Sequence, residues 1–164
     1  MTKESKTPAI RFLEQNKVAF EVLLYDYQEK GGTQRSSEAL GWEEQRILKS
    51  LVFEDENKKP LMVLMLGHLK VSTKKLARDT GRKSIQPCKP EVAEKHTGYQ
   101  VGGTSPFGVK KAMPLYLEKS ALSWDRVLIN GGKRGQLVAL DPGEIVRTLD
   151  PVLVEVGLEK SEAI

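Results

Sequence analysis

The sequence predicts one domain of mixed α/β architecture, in which a partly closed β-sheet is flanked by helices. Three observations predict this fold. Short helical and strand-like segments are interleaved, strand-like segments in the middle of the chain form hairpin-like pairs, and no regular strand–helix repeat favours a doubly wound parallel sheet. The length of 164 residues is typical of one domain. No linker divides the chain, so residues 1–164 are expected to fold together.

Helix and strand signals follow one another through the first half of the chain. Proline directly after Thr7 suits the first turn of a helix, where its missing N–H is not needed. Apolar residues that alternate with others predict strands. The predicted elements are, in order, a helix from Pro8 to near Asn16, a strand over 18–25, a helix capped by Ser36 or Ser37 and ended by Gly41, a helical turn from Glu43 to Leu48, and strands at 50–53 and 61–66 joined by a polar hairpin loop.

The second half opens with two helices whose ends are marked by capping residues. Ser72 suits the N-cap of a basic helix that ends before Gly81, and Pro90 suits the start of a helix that ends at Gly98. A glycine-rich segment follows. The remaining predicted elements are strands at 115–117, 126–129 and 137–140, a helix opened by Asp141 and Pro142 that reaches Leu149, and a closing strand at 152–156.

The composition indicates a folded, water-soluble protein, because 39% of the residues are apolar and 29% are charged. The longest apolar run, residues 61–66, is far shorter than the roughly 20 residues that span a bilayer. The charged amino terminus lacks the apolar stretch of a secretory signal. We therefore expect a cytoplasmic protein without a membrane partner. A net charge of +4 permits a polyanionic partner without requiring one.

Residues that bind metals are scarce. Cys88 is the only cysteine, which excludes an internal disulfide and a thiolate cluster. His68 and His96 are too far apart in sequence for a metal-binding motif. We expect neither a metal nor any other cofactor.

Residues 101–108, the glycine loop, carry the most informative pattern. The loop lacks the Gly-Lys-Ser/Thr ending of a phosphate-binding P-loop, and its second glycine comes one residue too late for the Gly-x-Ser-x-Gly hydrolase elbow. Gly102 and Gly103 are compatible with a tight turn between strands. They are also compatible with a backbone that approaches a ligand closely and offers N–H groups to a carbonyl oxygen or an oxyanion.

Residues 130–135, the glycine turn, contain a second pair of glycines. Asn130 followed by Gly131 is a strong hairpin signal, so a plain turn is one interpretation. The other is a grip for a phosphate or a carboxylate, since Lys133 and Arg134 follow Gly132.

Single side chains outside these segments offer weaker candidates. Lys49 lies where a polar segment becomes an apolar strand, so its ammonium either extends to water or acts as a fixed cation facing a cavity. Ser105 and His96 make a poor nucleophile–base pair because no aspartate has a motif that would orient the histidine. The basic helix with Lys70, Lys74, Lys75 and Arg78 is a solvated face that becomes a backbone contact if RNA binds.

These segments together resemble the YbaK/EbsC family of Cys-tRNA(Pro) deacylases, which are akin to the editing domain of bacterial prolyl-tRNA synthetases. Residues 97–108 resemble the family's GY-VGG-SP-G segment, and residues 130–135 resemble its GGKRG segment. Lys49 falls where the family carries a lysine before a strand, and Tyr25 ends the first strand as a family tyrosine does. The similarity runs from about residue 7 to residue 156.

The resemblance implies a barrel-like mixed sheet flanked by helices, and an enzyme that removes cysteine, alanine or serine from mischarged tRNA. By that resemblance Lys49 binds the phosphate or ribose of the terminal adenosine. Gly102 and Gly103 receive the aminoacyl carbonyl, and Ser105 lines the pocket. Substrate-binding residues are then Tyr25, Thr104, Pro106, Asn130, Gly131, Gly132, Arg134 and Gly135. The expected partners are the aminoacylated 3′ end of tRNA and prolyl-tRNA synthetase.

Departures from the family pattern concern the amino acid that is removed. Leu48 replaces an aromatic residue, Ser50 replaces a threonine, and residues 30–35 form a shorter loop without the pocket aromatic of cysteine-specific members. Two other functions stay open. One is a module that binds the tRNA end without catalysis, and the other is a docking domain for prolyl-tRNA synthetase.

Overall fold

The computed structural model describes residues 3–160 and has mixed α/β architecture. The helices are α1 Pro8–Gln15, α2 Gly32–Leu40, α3 Thr73–Thr80, α4 Pro90–Thr97 and α5 Gly143–Leu149, with 3-10 turns at Glu44–Arg46 and Lys119–Ser123. The strands are β1 Glu21–Leu24, β2 Leu48–Asp55, β3 Pro60–Leu66, β4 Leu69–Val71, β5 Ile85–Pro87, β6 Leu115–Glu118, β7 Val127–Lys133, β8 Gln136–Leu140, β9 Val152–Val154 and β10 Gly157–Glu159.

The helices begin and end where the capping signals predict, with one exception. Thr7 caps α1 by accepting from the N–H of Ile10, and Ser72 caps α3 by accepting from the N–H of Lys75. The prediction that Ser36 or Ser37 caps α2 is wrong. The helix begins at Gly32, and Ser36 lies inside it with its hydroxyl bonded to the carbonyl of Thr33. Gly31 serves as the N-cap, and Gly32 is the first residue of the helix.

The strands form a five-stranded sheet, a three-stranded sheet and a two-stranded ribbon. The five-stranded sheet has the order β5-β2-β3-β6-β9, and its central strand β3 is buried along its whole length. The three-stranded sheet has the order β1-β8-β7. A single parallel bridge between Ile47 and Leu128 links the two sheets at the start of β2. This confirms a mixed sheet flanked by helices, although within residues 3–160 the sheets stay open rather than closing into a barrel.

The ribbon pairs β4 with β10 and is fixed by a buried acid. Leu69 lies opposite Glu159, and Val71 lies opposite Gly157. The carboxylate of Glu118, at the end of β6, accepts from the N–H groups of Val156 at 2.7 Å and Gly157 at 3.0 Å. These bonds hold the start of β10 against the main sheet.

Two apolar clusters separate the faces of β7. Val127 and Ile129 face the larger cluster, which fills the space between the sheets and the helices. Leu128 faces a smaller cluster, in which Ile47 and Leu137 are buried and Tyr25 and Trp42 pack against them. Because side chains alternate along a strand, Asn130 lies on the side of Leu128. The smaller cluster therefore lies on the side of β7 that carries Asn130, the first residue of the glycine turn.

Candidate functional site

The glycine turn is built around the side chain of Asn130. Its Oδ1 accepts from the N–H of Gly132 at 2.6 Å and from the N–H of Lys133 at 3.1 Å. Residues 130–135 do form a hairpin between two strands, but its turn lies at Arg134 and Gly135 rather than at Asn130 and Gly131, because β7 continues to Lys133 through a bulge. Lys133 pairs with Gln136, so the chain reverses there, and Gly135 supplies a φ of +80°.

The glycines of this turn pack inward. Gly131 is buried, and its carbonyl accepts from the hydroxyl of Thr7 at 2.5 Å. A Cβ on Gly132, whose φ is +92°, would lie 2.9 Å from Thr7 Oγ1 and 2.9 Å from Tyr99 Cε1. These glycines let β7 approach the start of α1 closely, which a side chain would prevent.

The glycine loop is shaped by internal hydrogen bonds. The Tyr99 hydroxyl donates to the carbonyl of Phe107 at 2.5 Å, and the buried Ser105 hydroxyl accepts from the N–H of Phe107 at 3.2 Å. Ser105 is 0% exposed, so in this conformation its side chain fixes the loop from inside. Pro106 is buried and Thr104 is half-buried.

The two glycines of the loop differ in accessibility. Gly103 is buried, and its N–H donates to the carbonyl of Gln100 at 2.8 Å. Gly102 is exposed with a φ of +90°. Within residues 3–160, the N–H groups of Gly102 and Thr104 have no hydrogen-bond acceptor. Of the predicted glycine pair, only Gly102 therefore has an exposed backbone with an unbonded N–H group within residues 3–160.

The glycine loop and the glycine turn meet directly. The side-chain amide of Asn130 donates to the carbonyl of Gly102 at 3.0 Å, and Nε of Arg134 donates to the carbonyl of Val101 at 2.8 Å. A Cβ on Gly103 would lie 2.9 Å from the backbone nitrogen of Arg134. Two segments separated in sequence by about 30 residues thus form one continuous surface.

Tyr27 also belongs to this surface, and the sequence analysis missed it. A Cβ on Gly102 would lie 2.4 Å from the hydroxyl oxygen of Tyr27, so the phenol packs directly on that glycine. The Arg134 guanidinium lies 4.9 Å from the centre of the Tyr27 ring. Spacing was the available signal, because Tyr27 follows Tyr25 by two residues and a strand would place both side chains on one side.

Tyr25 contacts both the glycine turn and the smaller apolar cluster. Its N–H donates to the carbonyl of Gly135 at 3.0 Å, and its ring packs on the cluster that contains Ile47 and Leu137. Burial raises the pKa of the Tyr25 hydroxyl, Tyr27 raises it further, and Arg35 opposes the change. Tyr25 thus connects the glycine turn to the segment that leads into β2.

Lys49 lies on β2, two residues after Ile47. Its ammonium donates to the carbonyl of Leu69, in the first residue of β4. Burial lowers the pKa of Lys49, Lys160 and Lys70 lower it further, and Glu44 opposes them. A half-buried ammonium of this kind interacts more strongly with an anion than an exposed one.

Lys49 is linked to the glycine turn through the backbone rather than by a direct hydrogen bond. Ile47 bridges Leu128, and the next residues on the same side of each strand are Lys49 and Asn130. Within the described chain, no hydrogen bond joins the Lys49 ammonium to residues 101–108 or 130–135. The structure thus brings the two glycine segments together and places Lys49 on the neighbouring strand, level with Asn130.

Other titratable groups take little part in this arrangement. Burial raises the pKa of the Cys88 thiol to about 11, and Glu54 adds to the shift. Burial lowers the pKa of His96, with Lys111 and Lys95 acting in the same direction. Among residues 3–160 no three His, Cys, Asp or Glu side chains are grouped as metal ligands, and no helix there is long and apolar enough to cross a bilayer.

The fold and these segments define the class of protein. Residues 30–148 match the aminoacyl-tRNA editing domain family, and the chain belongs to that family. The match includes Lys49 and both glycine segments and confirms the resemblance found in the sequence.

Two relatives illustrate the similarity. The Enterococcus faecalis protein named "Putative Cys-tRNA(Pro)/Cys-tRNA(Cys) deacylase EbsC" is 32% identical over 154 residues, which cover 93% of this chain and 94% of that protein. A proline–tRNA ligase of Limosilactobacillus fermentum is 36% identical over 88 residues, which cover 51% of this chain and 15% of the ligase. The second match shows that part of this chain is similar to a segment of a much longer synthetase.

A solved structure confirms the fold. It is described as the crystal structure of "a putative trans-editing enzyme for prolyl tRNA synthetase", with a TM-score of 0.83 and 23% sequence identity. The match covers 96% of this chain and 99% of that one. The likeness therefore includes the whole arrangement of sheets and helices that positions the two glycine segments.

Proposed function

We propose that this protein is an aminoacyl-tRNA deacylase that hydrolyses the ester of mischarged tRNA, with Cys-tRNA(Pro) as the first candidate substrate. The observation that carries the proposal is the junction of the two glycine segments, where Asn130 and Arg134 bind the carbonyls of Gly102 and Val101. This junction leaves the N–H groups of Gly102 and Thr104 without protein acceptors within residues 3–160. The name of the Enterococcus relative supports the choice of substrate.

In this proposal the glycine loop binds the aminoacyl group and Lys49 binds the terminal nucleotide. Water adds to the ester carbonyl carbon, the bond from that carbon to the ribose oxygen breaks, and the proton passes to the ribose oxygen. The backbone N–H of Gly102 stabilises the negative charge that develops on the carbonyl oxygen. Lys49 attracts the phosphate or ribose hydroxyls of the terminal adenosine.

The remaining candidate residues shape the glycine loop and the glycine turn or line the surface beside them. Ser105 and Pro106 fix the shape of the glycine loop, while Gly131, Gly132 and Gly135 allow the glycine turn to lie against it. Arg134 and Thr104 line the exposed side, where the tRNA end would pass. In residues 3–160 the side chains that contact Gly102 are those of Tyr27 and Asn130, and in this proposal the substrate thiol or the adenosine 2′-hydroxyl assists the reaction instead of a protein nucleophile.

The decisive experiment incubates the protein with Cys-tRNA(Pro), Ala-tRNA(Pro), Ser-tRNA(Pro) and correctly charged Pro-tRNA(Pro). We expect faster ester loss than the uncatalysed rate for at least one mischarged substrate and none for Pro-tRNA(Pro). Lys49→Ala should abolish that loss while the circular dichroism spectrum stays unchanged. The proposal is wrong if no mischarged tRNA is hydrolysed, or if a folded Lys49→Ala variant retains wild-type turnover.

Two further outcomes correspond to the other functions. Binding of the charged tRNA end without ester loss would favour a binding module. Prolyl-tRNA synthetase is a proposed partner, because a segment of such a synthetase is similar to this chain. Co-purification with the synthetase that is unaffected by Lys49→Ala, without hydrolysis, would favour a docking domain.

A further inference from the structure

Tyr27 combines three features that the described roles leave unexplained. Its hydroxyl edge packs on the exposed Gly102, since the oxygen would lie 2.4 Å from a Cβ there and the adjacent ring carbon Cζ 2.9 Å from it. Its ring is stacked with Arg134 at 4.9 Å. Its hydroxyl has no hydrogen-bond partner in residues 3–160, although the side chain is half-buried.

The surroundings of Tyr27 hold the ring in place. Arg134 lies against the ring and is itself fixed by the 2.8 Å bond from its Nε to the carbonyl of Val101. The carbonyl of Gly102 is bonded by Asn130. The hydroxyl is therefore positioned by groups on both glycine segments, while its own hydrogen-bonding capacity is unused. A phenol held in this way is prepared to bind a ligand, because little conformational freedom is lost on binding.

We propose that the Tyr27 hydroxyl donates a hydrogen bond to the aminoacyl ester group bound at Gly102. This inference rests on the proposed deacylase function and adds a substrate-contacting side chain to it. The hydroxyl and the N–H of Gly102 would act together on the carbonyl oxygen. Removing one donor from such a pair lowers kcat by about 10²-fold or more in well-studied enzymes.

The test is Tyr27→Phe, which keeps the ring on Gly102 and beneath Arg134 but removes the hydroxyl. With the mischarged tRNA that the wild-type protein hydrolyses fastest, kcat should fall by about tenfold or more, with KM changed by less than about threefold. The same fall is expected with a minihelix that carries only the acceptor stem and the aminoacylated end, because the contact is to the ester. An unchanged kcat on either substrate overturns the inference.

Tyr116→Phe is the matched control. Tyr116 lies on β6, outside the proposed substrate site, and the substitution removes a hydroxyl that accepts a hydrogen bond from Arg82 at 2.7 Å. Its kcat should remain at the wild-type level. Circular dichroism and the urea midpoint should show Tyr27→Phe folded as the wild type, and Tyr27→Ala should lose at least as much kcat as Tyr27→Phe. Faster turnover by Tyr27→Ala would mean that the phenol obstructs the substrate, and would overturn the inference.

The failure of this inference is distinguishable from the failure of the proposed function. A wild-type protein that hydrolyses none of the tested tRNAs overturns both. An active wild type whose Tyr27→Phe variant keeps full kcat overturns only the role of Tyr27 and leaves Gly102 and Lys49 in place.

Discussion

The glycine loop and the glycine turn share one sequence signature, a pair of adjacent glycines, but differ in what approaches them. In the loop, Gly102 is exposed and faces the phenol of Tyr27. In the turn, Gly132 faces Thr7 and Tyr99 inside the protein. Their φ angles are nearly equal, +90° and +92°. A paired glycine thus predicts a close approach, whereas only the tertiary structure decides whether the approaching group lies at the surface or in the interior of the protein.

Gly132→Ala should give the largest loss of stability. The new Cβ would lie 2.9 Å from Thr7 Oγ1 and Tyr99 Cε1, in a backbone conformation that L residues rarely adopt. We expect the free energy of unfolding to fall by about 2–4 kcal/mol, as measured by urea denaturation. Gly81→Ala is the control, because its φ of +74° is also positive but nothing lies within 4 Å of the new Cβ. An equal loss in both variants would contradict the packing role of Gly132.

Substitutions of Asn130 test the connection between the two segments. Its side-chain oxygen accepts hydrogen bonds within the glycine turn, and its side-chain nitrogen donates one to the glycine loop. Asn130→Ala removes both functions and should cost about 1–3 kcal/mol of stability together with activity. Asn130→Asp keeps acceptors for the N–H groups of Gly132 and Lys133 but loses the donor to Gly102. It should therefore retain more stability than Asn130→Ala and still lose deacylation. Equal unfolding midpoints for the two variants would argue against this division.

Gly102→Ala should affect activity more than stability, in contrast to Gly132→Ala. The Cβ would press on the Tyr27 phenol, which is only half-buried and can shift at lower cost than the buried Thr7 and Tyr99, so the stability loss should be about 1 kcal/mol. Deacylation should fall by about tenfold, or about 1.4 kcal/mol in the barrier, because the carbonyl site is disturbed. Steady-state kinetics on mischarged tRNA measure this. Wild-type kinetics would remove Gly102 from the site.

The smallest predicted effect concerns the pH at which Lys49 loses its positive charge. The pKa of Lys49 lies below its ordinary value of 10.5, chiefly because of burial. After subtraction of uncatalysed hydrolysis, the wild-type rate should therefore decline with rising pH before ordinary lysines lose their protons. Lys49→Arg keeps its charge, so its residual activity should lack this decline. The same decline in both proteins would exclude Lys49 as its source.

Local signals in the sequence accounted for much of the fold. Pro8 after Thr7, Ser72 before α3 and Gly98 after α4 mark helix ends through contacts made within a few residues. The strands β4, β5 and β10 were not predicted, because each has three residues and exists only through pairing with distant segments. The closing strand predicted over 152–156 is β9, which ends at Val154.

The parts of the site that form contiguous sequence motifs were predictable, whereas the parts that depend on tertiary packing were less so. The two glycine segments were identified from their sequence, and the structure places them in contact. The free N–H groups could not be foreseen, since the use of the Gly103 N–H by Gln100 depends on the folded loop. Tyr27 belongs to no recognisable motif, and apart from its spacing of two residues from Tyr25 the sequence gives no sign of its contact with Gly102. The roles of Lys49 and its neighbours in catalysis stay predictions.

The hydrogen bonds from Val156 and Gly157 to the Glu118 carboxylate have a consequence for the order in which parts of the fold form during synthesis. The ribosome synthesises the chain from its amino end, so β10 emerges after every other element in residues 3–160. Until then β4 has no partner strand, and the carbonyl that accepts from Lys49 belongs to an unpaired edge. The nascent chain can therefore bring its two glycine segments together before β10 emerges, while the surroundings of the Lys49 ammonium are completed only once β10 has paired with β4.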